Sequence, residues 1–161
     1  MRKLLVLLVL ALVLPAAAYS QLRVSNGTLS IREGRGIVQL DARGSMTGRV
    51  NGRLTITDTK PFDSKRPLVY GAKKTTYRNA RTTVYQGKNL RFRLSGARFV
   101  IRMDGKAIFL SAIAHGTGML DGAGDPTANV FYDGVWSLND EPYHSLPDDP
   151  TPFELAAPAT G

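Results

Sequence analysis

A two-residue hydrophobic alternation, broken by glycine about every ten residues, constrains this chain more than any other feature. Leu29 and Ile31 alternate with Thr28, Ser30 and Arg32, and Val38, Leu40 and Ala42 alternate with Gln39, Asp41 and Arg43. Leu54 and Ile56, Phe92 and Leu94, and Phe99, Ile101 and Met103 repeat the pattern. Successive side chains on a strand point to opposite faces, so each run has an apolar side and a wet side. Lys106 to Ala114 is apolar on both phases and reads as a central strand covered on both faces. Beyond residue 20 no run carries the 3.6-residue period of an amphipathic helix. The pattern predicts an all-β fold, an antiparallel β-sandwich or barrel of about ten short strands. A β-solenoid is the rival, disfavoured because no strict short period holds along the chain.

Stability in such a fold must come from packing, because the 161 residues include no cysteine. The N-terminus places the chain outside the cytoplasm. Arg2 and Lys3 precede an unbroken apolar run from Leu4 to Leu14, closed by Pro15. Ala16, Ala18 and Ser20 then supply small residues for cleavage after Ala18 or Ser20, the pattern of a secretory signal peptide. Eleven apolar residues rise only about 17 Å as a helix, short of the roughly 30 Å hydrocarbon core. The organisation expected is a signal peptide over 1–20, one all-β domain over 21–143 and a tail over 144–161. Four prolines and Asp148, Asp149 and Glu154 make that tail extended or disordered, with Phe153 and Leu155 able to dock it.

A longer period runs beneath the strands. At an offset of 70, Leu22 to Arg32 aligns with Phe92 to Arg102 with four identities in eleven positions. With small gaps Gly34 meets Gly105, Ile37 meets Ile108, and Arg43-Gly44-Ser45 meets His115-Gly116-Thr117. A two-fold internal duplication accounts for this, with convergence of strand patterns as the alternative. The stretches GRGIVQLDARGSMTGRVNGRLTITD (34–58) and GKAIFLSAIAHGTGMLDG (105–122) resemble small exported, glycine-punctuated β proteins of high-GC Gram-positive bacteria. That resemblance covers most of the chain after residue 20 and implies an exported β fold. It implies no activity and no functional residue.

Charge is divided along the chain. The formal net charge is +8, yet residues 19–106 carry nineteen basic and five acidic residues. Residues 107–161 carry eight acidic residues and no Lys or Arg. The candidate binding residues lie in the densest basic stretch: Lys65, Arg66, Lys73, Lys74, Arg78, Arg81, Lys88, Arg91 and Arg93, interleaved with Tyr70, Tyr77 and Tyr85. A basic surface with aromatic contacts suits a polyanion. For an exported protein the candidates are an anionic cell-wall polymer, acidic lipid headgroups, an acidic polysaccharide or extracellular DNA. The plainer alternatives are solvated strand faces that guard sheet edges, and neutralisation by the acidic C-terminal third.

Catalytic signatures are sparse. The nucleophile elbow G-x-S-x-G, the P-loop and the dinucleotide fingerprint are all missing. Two histidines 29 residues apart, without cysteine, give no zinc pattern. Asp121-Gly-Ala-Gly-Asp125 lacks the alternating acids of a calcium loop and reads as a turn. No cofactor and no metal are expected. The reading is an exported, non-enzymatic β module at the envelope or outside it, with a protein-interaction module as one alternative. A hydrolase built around His115 and Asp121 is the other. Phe131, Tyr132, Trp136 and Tyr143 form either a sugar-stacking platform or part of the core, the second being expected of Trp136.

Overall fold

The computed structural model describes residues 25–124 and 133–158, all of it strand, turn and loop. Seven strands follow one another: β1 (Gly27–Asp58), β2 (Leu68–Tyr70), β3 (Lys74–Tyr77), β4 (Thr82–Gly122), β5 (Val135–Leu138), β6 (His144–Ser145) and β7 (Thr151–Leu155). They form one antiparallel sheet with the path β2-β4-β1-β5-β6, in which β3 and β7 also pair with β4. The signal segment, Asp125, Phe131 and Tyr132 lie outside the described residues.

Two strands, β1 and β4, do most of the work. They are far longer than ordinary strands because their pairing continues through bends. From Gly36 to Thr57 most β1 residues have two β4 partners; Val38 lies opposite both Met103 and Leu120, and Leu54 opposite both Tyr85 and Met103. The register therefore separates into two ladders. One runs β6, β5, residues 27–34, 108–114, 45–49, 90–94, β2. The other runs β7, residues 116–122, 36–44, 97–105, 52–58, 82–87, β3.

Glycine makes the passage between ladders possible. Gly87, Gly52, Gly105, Gly36 and Gly122 are successive cross-strand partners, a row of five glycines on five neighbouring segments of β1 and β4. Gly52 has φ +152 and Gly105 has φ +154, values that a side chain opposes. A Cβ on Gly52 would also collide with the carbonyl oxygen of Asp104. The opposite corner uses the next smallest residues: Gly44 lies between Ala97 and Ala114.

The apolar phase of the alternation is the core. Leu29, Ile31, Met46, Phe92, Leu94 and Leu110 of the first ladder join Val38, Leu40, Leu54, Ile56, Phe99, Ile101 and Met103 of the second in one buried cluster. Trp136 and Phe153 pack against it, with ring centroids 6.0 Å apart.

One expectation is corrected. The strand within Lys106 to Ala114 is central, hydrogen-bonded on both sides, but it is not covered on both faces. Ile108, Leu110, Ala112 and Ala114 are buried, whereas Ile113 is 56% exposed and Phe109 is half-buried beneath an arginine. Among the described residues no layer packs on that outer face. The C-terminal stretch is extended and docked: His144 and Ser145 pair with β5, and β7, which contains Phe153 and Leu155, pairs with residues 116–120. Leu146 and Leu155 are buried, so the packed β structure continues past residue 143.

Candidate functional site

The wet phase of the alternation builds two outer faces with opposite electrostatic character. On the second ladder two arginines meet acids. Arg98 grips Asp41 with both ends of its fork, Nε to Oδ1 and Nη2 to Oδ2, each at 2.7 Å. That hydrogen bond, with the nearby negative charge, raises the proton affinity of Arg98 further above its usual value. Arg53 lies directly opposite Asp104.

The first ladder has no such matching. Thr47 and Arg49, Arg91 and Arg93, Phe109 and Ser111, and Ser30 and Arg32 leave its outer face on successive strands, because their neighbours Leu94, Val50, Leu110 and Ile31 turn inward. Cross-strand register arranges them in two rows. Tyr70 faces Arg91, Arg91 faces Arg49, and Arg49 faces Phe109. Beside it, Leu68 faces Arg93, Arg93 faces Thr47, Thr47 faces Ser111, and Ser111 faces Ser30.

Aromatic rings fix two of the guanidinium groups. Arg49 lies 3.9 Å above the centroid of Phe109, and Arg32 lies 4.6 Å above that of Tyr143. Tyr143 in turn shares a 2.9 Å hydrogen bond between its Oη and the Oγ of Ser30. Arg32, Arg49, Arg91, Phe109, Thr47 and Ser111 line a shallow depression of about 400 Å³, and none of its lining residues is acidic. This arrangement offers rigid, multidentate hydrogen-bond donors to an anion.

The nine residues singled out from the sequence divide among separate places. Arg91 and Arg93 stand on this face. Lys73 and Lys74 lie on or beside β3, an edge strand, with Arg78 and Arg81 in the turn that follows it. All of residues 71–80 are exposed, including Tyr77 at 77%. Lys88 occupies the bend after Gly87, and Lys65 and Arg66 sit in the connection before β2. Arg66 donates to the carbonyl of Pro61 at 2.6 Å, and the methylene stem of Lys65 lies beside Gly96. Tyr85, interleaved with them in sequence, turns inward, and its burial pushes the phenol pKa up. Sequence reasoning missed Arg32, Arg49 and Phe109 as site residues and weighed Tyr143 only as a sugar-stacking or core aromatic. The outward phase of Arg32 was visible and Phe109 was read as covered; the adjacency of all four depends on pairing between β1, β4 and the segment after β5.

The histidine and acid considered for hydrolysis are not brought together. His115 lines a depression with Asp41, Arg43 and Thr117, while Asp121 lines another with Arg35 and Lys106. The Nδ1 of His115 bonds to Oδ1 of Asn26 at 2.9 Å, and both oxygens of Asp41 are engaged by Arg98. Among the described residues no cluster of three or more His, Asp or Glu could hold a metal ion.

No family model, curated protein or solved structure matches this chain.

Proposed function

We propose that this chain is an exported, non-enzymatic β module that holds an anionic polymer of the cell envelope or extracellular space through a basic surface. The observation that carries the reading is the contrast between the two outer faces. On one, Arg98 is ion-paired with Asp41 and Arg53 lies opposite Asp104; on the other, Arg32, Arg49, Arg91 and Arg93 have no acidic partner among the described residues. The signal-like N-terminus supports export, and no helix among the described residues is long and apolar enough to cross a membrane.

The finer architecture that fits this reading is a β-sandwich with jelly-roll connectivity. Its support is the order 27–34, 108–114, 45–49, 90–94 in one ladder and 36–44, 97–105, 52–58, 82–87 in the other, with a shared core. A sandwich leaves each ladder one outer face, and therefore a flat platform. The internal duplication fits the same plan. Gly44, at φ +155, packs on Ala114, while its aligned counterpart Gly116, also at φ +155, packs on Ala42.

Retention on an immobilised anionic polymer tests the function. Binding is expected at low salt and should fall steeply as salt rises, because each neutralised charge releases counterions. Passage through the column unretained at low salt would refute the proposal.

A further inference from the structure

We infer that the ligand of the acid-free depression along Arg91, Arg49 and Arg32 is a linear carboxylated polysaccharide lying across the strands, with Asp140 and Glu141, which line the adjoining depression beside Ser30 and Ser111, bounding the site on that side. This rests on the polyanion reading above and names its site and chemistry.

Three observations lead there. First, Arg91 and Arg49 are directly opposed on adjacent strands with no acid between them, an unfavourable pairing that a bound anion relieves. The same opposition of Arg43 and Arg98 on the other ladder is already relieved, because Asp41 holds Arg98. Second, neighbouring strands are about 4.8 Å apart, so Arg91 and Arg49 stand about one sugar ring apart, and Arg32, on the strand beyond Phe109, about two rings from Arg49. Contact of Arg49 with the Phe109 ring and of Arg32 with the Tyr143 ring holds each guanidinium group in place, and a guanidinium can fork onto a carboxylate through its N–H groups. Third, Thr47, Ser111 and Ser30 form a line of hydroxyls one pleat away, about 7 Å along the strands. A chain that bears carboxylates and ring hydroxyls satisfies both rows at once.

The same geometry disfavours single-stranded nucleic acid. Base recognition without sequence uses open aromatic faces for stacking. Here guanidinium groups already lie over Phe109 and Tyr143, which leaves Tyr70, opposite Arg91, as the open ring of the row among the described residues, too little for successive bases to stack on.

Polygalacturonate, neutral dextran and oligothymidylate, titrated against the purified protein at about 50 mM salt, test the inference. Polygalacturonate should bind and dextran should not. Arg49→Gln and Arg91→Gln should each weaken polygalacturonate by about tenfold, the loss of one charge-assisted fork. Arg49→Lys should lose most of that too, since an ammonium keeps the charge without the fork. A quadruple Lys73→Gln, Lys74→Gln, Arg78→Gln, Arg81→Gln variant should bind like the parent, because those residues lie on the β3 edge. Unchanged affinity in both row variants, with loss in the quadruple variant, would overturn the site and leave the polyanion reading standing. Equal binding of dextran, or tighter binding of oligothymidylate that depends on Arg49, would overturn the ligand class. Failure of the parent protein to bind either anionic polymer would overturn both. A circular-dichroism melt of each variant separates lost binding from lost fold.

Discussion

Arg91 and Arg49 place two positive charges opposite each other on a sheet face without an acidic neighbour. In the unliganded protein this costs stability, so Arg91→Gln should raise the unfolding free energy by roughly a few tenths of a kcal/mol at low salt. The gain should fade as ionic strength rises and screens the repulsion. Denaturant melts of parent and variant at two salt concentrations measure it; a variant less stable than the parent at low salt would show that Arg91 has a structural role. A residue that weakens the fold but strengthens binding is the expected signature of a site. The outward direction of both arginines was legible from the period-two phase. Their opposition was not, because register between segments some forty residues apart is absent from local pattern. The nine basic residues chosen for their density in sequence show the same limit: only Arg91 and Arg93 reach this face.

At the scale of the element, the glycines determine how two long strands become two ladders. Gly52→Ala puts a side chain at φ +152 and against the backbone of Asp104, and should cost on the order of 3 kcal/mol or more. Gly96→Ala is the control. Its φ of +75 is also left-handed, but a Cβ there meets only the flexible stem of Lys65 at 3.4 Å, so about 1 kcal/mol is expected. Equal losses in urea melts would mean that the row of glycines carries no special constraint. Glycine spacing in the sequence announced turns, and the strand cores were placed correctly around them. What the spacing did not announce was that Gly87, Gly52, Gly105, Gly36 and Gly122 would line up across five segments of β1 and β4. Alignment of bends follows from pairing, and so does the exposure of Ile113 on a strand whose composition suggested cover on both sides.

For the whole molecule, one core joins both ladders, with Trp136 packed at its margin and Leu155 buried within it. Unfolding should therefore be a single cooperative transition. Fluorescence of Trp136, the only tryptophan, and far-ultraviolet circular dichroism should share one urea midpoint; separate midpoints would show that the β5–β7 region unfolds independently. The sequence by itself determined the all-β class, the inward residues, the glycine punctuation and the division of charge. These follow from side-chain alternation and composition, which are local properties. Only the tertiary structure decided which arginines share a face, which of them meet acids and where the last strands dock. Those outcomes depend on cross-strand register and on the choice of neighbours, which bring Tyr70, Arg91, Arg49 and Phe109 into one row from three distant parts of the chain.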